Sequence, residues 1–161
     1  MIDKEYNKIL KQYHKLSDRH ILVVETDMPY PDVLKVVALS DKIRKAGNEL
    51  VRLMRKNYDQ LLRTKRYRKL LFLYGTTEDK SKRKILANQL NEMQKSYNVT
   101  WDYCRKSMIP IGKKYSIDAA FALTKAEDIW RGVEKCLYGN GNTIHFSKYG
   151  ELPCIRAKQI N

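Results

Sequence analysis

From Asp32 onward, Leu39, Ile43, Ala46, Leu50, Leu53, Met54 and Leu61 return every three or four residues. That spacing gathers them on one face of a helix, and no other regular backbone satisfies it over so long a run. It predicts a helix from Asp32 to about Tyr74, set off by Pro29 and Pro31 in front and by Gly75-Thr76-Thr77 behind. At ~100° per residue, Lys45, Arg52, Lys56 and Arg63 fall in a narrow sector opposite the apolar face. Only Asp59 interrupts this basic stripe.

The end of the same pattern reads LLRTKRYRKLLFLYG, in which Arg63, Lys65, Arg66, Arg68 and Lys69 stand between leucine pairs with no acid among them. A merely solvated helix face mixes its signs, whereas a surface awaiting phosphates does not. The whole chain leans the same way, with 32 Lys+Arg against 18 Asp+Glu and a formal charge of +14. Polyanions are the expected partners. The 43% hydrophobic content over 161 residues is enough for one domain, or one core with a small appendage, and argues against disorder. Neither a signal-peptide run at the start nor a membrane-length apolar segment later occurs in the sequence, so the expectation is a soluble, cytoplasmic protein with no membrane partner. Cys104, Cys136 and Cys154 are odd in number and widely spaced, which reads as reduced thiols. The Asn98-Val99-Thr100 sequon is then accidental.

Around the long helix, Asp3 caps an expected first helix with Tyr6, Ile9, Leu10, Tyr13 and Leu16 on one side. His20 to Thr26 is a β-branched run that reads as a strand. After Gly75, EDKSKRK leads into a helix carrying Leu86, Leu90, Met93 and Tyr97, and the two form an antiparallel hairpin. A shorter helix follows and is expected to stop at Pro110 and Gly112. Thr124 to Glu127, TKAE, matches a capping box and is expected to open a helix with Ile129, Trp130, Val133 and Leu137 inward and Gly139 as its stop. Thr143 to Ser147 and Leu152 to Ile155 then read as strands. The fold expected is α+β and predominantly helical, a helical lobe inserted between strands of a small β-sheet or partial barrel. Its parts are 1–31, an N-terminal helix and first strand; 32–138, the inserted lobe; and 139–161, strands completing the sheet.

Chemistry is sparse in the pattern. His14, His20 and His145 lie in different elements, so no metal site is expected. GNGN at Gly139–Asn142 ends a helix instead of opening one and reads as a turn, not a phosphate cradle. The acids are scattered, with nothing paired for a two-metal nuclease site. Cys136 reads as packing, and no cofactor is expected.

Cations and aromatics together carry more. Tyr58, Tyr67, Phe72, Tyr74, Tyr97, Trp101, Tyr103 and Tyr115 are interleaved with Lys and Arg. Single-stranded nucleic acid uses that pairing, with phosphates on cations and bases on rings. Phe72, Trp101 and Trp130 read as core. The expected phosphate contacts are Lys45, Arg52, Arg55, Lys56, Arg63, Arg66, Arg68 and Lys69, and the stacking candidates are Tyr67 and Tyr74.

Near the C-terminus, Trp130, Val133-Glu134-Lys135, the Gly139/Gly141 turn, Ile144-His145-Phe146 and the later GELP resemble the helix, glycine turn and strand pair of transposon-encoded TnpB-like proteins. These are RNA-guided nucleases of insertion sequences, related to type V CRISPR effectors. Ala46 to Leu70, following DMPY, is similar to the long recognition-lobe helix of that family. The resemblance implies a β-barrel wedge with an inserted helical lobe that holds guide RNA and its DNA heteroduplex. The family's RuvC-type acidic triad and zinc ribbon lie after the matching region and find no counterpart within these 161 residues. The expectation is therefore a non-catalytic binder, not an enzyme, whose partner is RNA or an RNA–DNA hybrid, with DNA a further candidate. The alternative is a small basic regulator or inhibitor that docks on an RNA-guided nuclease complex or competes for its guide RNA. A third reading, an enzyme using Cys136 or Cys154, stands behind both.

Overall fold

The structure, a computed structural model, describes residues 30–139 and 141–148. The chain divides into two compact units, Met1–Tyr30 and Pro31–Asn161, and the description concerns the second. The expected first helix and the strands at 20–26 and 152–155 lie outside the described residues.

Five helices follow one another among the described residues: α1 (Tyr30–Arg63), α2 (Lys65–Thr76), α3 (Lys80–Ser96), α4 (Trp101–Lys114) and α5 (Ala119–Tyr138). The apolar stripe of α1 is buried as its spacing predicts, with Ile43, Ala46, Leu50, Met54 and Leu61 all in the core. From α4 and α5 come Cys104, Met108, Ile111, Ala122, Ala126, Ile129 and Val133. Directions follow from the contacts. Lys125 lies across Gly47 and the Tyr58 hydroxyl donates to the Cys136 carbonyl at 2.9 Å, so α1 and α5 run parallel. The Cys104 thiol faces the Ala126 carbonyl and Gly112 abuts Ala122, so α4 is antiparallel to α5. The pairs Thr64–Tyr97, Tyr67–Gln94 and Tyr74–Arg83 make α2 and α3 the antiparallel hairpin. A buried amide ties the two halves together: Gln94 accepts from the Tyr138 hydroxyl at 2.7 Å and donates to the Tyr67 hydroxyl at 3.3 Å.

Two turns share one device. Asn98 (φ 58°) and Ser116 (φ 52°) adopt the left-handed conformation just past α3 and α4. The next residues, Val99 and Ile117, donate back to Gln94 and Gly112 and bury their side chains. This closes the free carbonyls of each helix end and turns the chain sharply.

Several expectations need correction. The long helix is not continuous to Tyr74 but breaks at Thr64, whose backbone is extended. The Thr64 hydroxyl donates to the Gln60 carbonyl and shares a hydrogen bond with the Tyr97 hydroxyl, competing with the helical pattern. Pro110 does not stop α4. It sits on the exposed face, where water can serve the Lys106 carbonyl that its missing N–H leaves free. Thr124 does not open α5; Asp118 caps that helix by accepting from the Ala120 N–H, and Thr124 donates back to the Ala120 carbonyl inside it.

The fold class needs the largest correction. No strand occurs among the described residues, so the expected sheet or partial barrel around the helical lobe is not formed there. Residues 143–147 carry no regular secondary structure and are held by side chains. The Asn48 carboxamide of α1 donates to the Ser147 carbonyl at 3.0 Å and accepts from its N–H at 2.9 Å. That amide supplies the donor and acceptor a neighbouring strand would have offered. Ile144 anchors the segment in the core.

Candidate nucleic-acid interface

The stripe opposite the buried face of α1 is where the cations gather. Arg52, Arg55, Lys56 and Arg63, with Asp59, Gln60 and Phe146, line a concavity of about 510 Å³. A second hollow of about 460 Å³ continues from it along Asp59, Leu62, Arg63 and Arg68. Arg63 belongs to both, which carries the basic surface across the Thr64 break from α1 onto α2. From Arg52 to Arg63 the rise along α1 is about 16 Å.

Two elements shape this site. α1 presents its cations because the apolar stripe is committed to the core on the other side. The 143–147 segment places Phe146 beside them. Ile144 enters the core while Phe146, 40% exposed, lies at its rim. The Arg55 guanidinium sits 5.2 Å from the centre of the Phe146 ring. The turn before this segment needs its glycine. A β-carbon on Gly141 would come within 2.9 Å of the Lys135 backbone, and both Gly139 and Gly141 donate to the Lys135 carbonyl.

Several cations elsewhere on the helices are paired with acids. Lys35, Arg44, Lys45, Lys95, Arg105, Lys106 and Arg131 each reach an acid three or four residues away. Among the described residues, Arg52, Arg55, Lys56, Arg63, Arg66, Arg68 and Lys69 form no ion pair. Asp59 stands among them without closing one. Glu49, one turn from Arg52, is engaged elsewhere: it holds Lys114 at 2.7 Å and the Tyr115 hydroxyl at 2.9 Å. Those two hydrogen bonds, Lys114 first, hold its carboxyl below the ordinary glutamate value, with Arg52 adding a weaker pull.

The expected contact residues thus divide. Arg52, Arg55, Lys56, Arg63 and Arg68 come together. Arg66 and Lys69 are exposed on α2 but do not line the hollows. Lys45 lies nearer the start of α1 and is paired with Asp41 at 2.8 Å. Neither tyrosine is an open platform. Tyr67 is fully buried, its hydroxyl bound by Gln94, so it cannot meet a base. Tyr74 is half-buried with the Arg83 guanidinium 4.6 Å over its ring. The exposed rings are Phe72, which sequence reasoning placed in the core and which is 70% exposed, Tyr138, 67% exposed with its hydroxyl on Gln94, and Phe146, which sequence reasoning placed in a strand.

The thiols are not activated. Burial pushes Cys104 up to about 12 and raises Cys136 as well, the reverse of what a nucleophile needs. Cys154 lies outside the described residues. Among the described residues no helix is long and apolar enough to cross a membrane. No protein-family model, curated protein or solved structure matches the chain.

Proposed function

We propose that this chain is a non-catalytic nucleic-acid-binding protein that holds RNA or an RNA–DNA hybrid, mainly by its phosphates, along the basic face of α1 and the start of α2. The observation that carries the reading is the continuous hollow of Arg52, Arg55, Lys56, Arg63 and Arg68, whose cations have no ion-pair partner among the described residues. Guanidinium forks suit phosphate oxygens, and four of the five are arginines. Affinity built this way is electrostatic and follows shape more than sequence. The free thiols of Cys104 and Cys136 suit a reducing, cytoplasmic setting. The resemblance to the wedge and recognition lobe of TnpB-like nucleases points the same way.

A charge-reversed chain, Arg52→Glu, Lys56→Glu and Arg63→Glu, tests the reading by fluorescence anisotropy with labelled RNA, RNA–DNA hybrid and duplex DNA. The expected result is loss of binding to all three with the helical circular dichroism spectrum retained. Undiminished binding would refute it.

The second reading, a regulator docking on an RNA-guided nuclease complex or competing for its guide RNA, is favoured by one observation. An apolar cleft of about 240 Å³ between α4 and α5, flanked by Arg105 and Lys113, leaves Ile109 exposed. Capture of such a complex by the charge-reversed chain would support it.

A further inference from the structure

An aromatic ring lines the basic hollow and a second lies a helical turn beyond it. Phe146 lines it beside Arg55. Phe72 lies one helical turn beyond Arg68 on the same side of α2, and it is the most exposed of the large apolar side chains in the described residues. Between the rings stand Lys56, Arg63 and Arg68, with Arg52 one turn before Arg55 and Lys65 and Lys69 exposed alongside. The Arg55 guanidinium sits 5.2 Å from the centre of the Phe146 ring, a cation–π contact that ties the ring to the basic track.

Resting on the nucleic-acid reading above, we infer that the occupant of this track is an unpaired stretch of nucleic acid, its backbone along the cations and its bases stacked on Phe146 and Phe72. Phosphates alone do not require this, because a duplex offers them too. The rings do. In a duplex or a hybrid the base faces are hidden in the stack, and an aromatic side chain can meet one only by prising it out. An unpaired loop or end presents those faces at no such cost. Phenylalanine carries no hydrogen-bonding group, so the contact is made with the face of a base and tolerates any sequence. The occupant is thereby narrowed from a hybrid to single-stranded nucleic acid, a loop of a structured RNA included.

The test uses poly-uridylate RNA, free and annealed to its complement, against the full chain and the variants Phe72→Ala and Phe146→Leu. Phe72 is exposed, so its loss does not threaten folding, and leucine at 146 keeps an apolar side chain beside Ile144. Single strand should bind more tightly than duplex at equal salt. Phe72→Ala should lower single-strand affinity roughly fivefold or more and leave duplex affinity unchanged. Phe146→Leu should act in the same direction. Equal affinity for strand and duplex, or ring variants that change both alike or neither, would overturn the inference while leaving phosphate binding intact. Absence of binding to any nucleic acid, or indifference to the Arg52, Lys56 and Arg63 reversal, would overturn both readings.

Discussion

At Gly141 a β-carbon would meet the Lys135 backbone, which a side-chain rotation cannot relieve. Gly141→Ala should therefore cost about 1–3 kcal/mol in urea denaturation. Ser116 is the reverse case, a residue with a β-carbon held at φ 52°. Ser116→Gly should stabilise the chain by about 1 kcal/mol, and a loss would show that its side chain matters more than its backbone. Glu49 ties α1 to the end of α4 through Lys114 and Tyr115. Because its folded pKa lies below the ordinary 4.5, its contribution is present above that value and is lost as pH falls through the folded value. Melting temperatures of the unaltered chain and Glu49→Gln should differ at neutral pH and converge as the pH falls through the folded Glu49 value. A gap that stays constant with pH would contradict this.

Among the elements, the helices were the most legible, because a 3.6-residue apolar repeat says which face is buried whatever covers it. Their limits were less so. The break at Thr64 depends on Tyr97, 33 residues away in sequence, and nothing local to LLRTKRYR announces it. Thr124 to Glu127 has the residues of a capping box, but the helix begins earlier, where Asp118 can reach the Ala120 N–H. Residues 143–147 illustrate a deeper limit. Alternating β-formers specify an extended chain with one side buried, not its partner, and here the partner is the Asn48 amide. Asn48→Ala should cost about 1–3 kcal/mol, two hydrogen bonds' worth, measured by urea denaturation. It should also loosen Phe146 over Arg55, visible as a lower affinity for single-stranded RNA. Unchanged stability would mean that Ile144 and the Lys125–Ser147 hydrogen bond hold the segment without the amide.

On the scale of the whole molecule, the site divides the same way as the fold. The cations were readable because helical geometry alone aligns Arg52, Lys56 and Arg63. Which rings stay open was not, since exposure depends on packing between elements: Gln94 encloses Tyr67, while no partner covers most of Phe72. A formal charge of +14 is a net property, and its meaning lies in distribution. Several cations elsewhere on the helices pair with acids at three- and four-residue spacing. Those along one side of α1 and α2 do not, and charges about 6 Å apart there lie within the Debye length of about 8 Å at physiological salt.

The most direct measurement is the salt dependence of RNA affinity for the unaltered chain and for Arg52→Gln, Lys56→Gln, Arg63→Gln. Each phosphate contact contributes about 0.7–0.9 to the slope of log affinity against log salt, so removing the three cations should flatten it by about 2–3. A slope that is the same in both chains would contradict phosphate binding along α1.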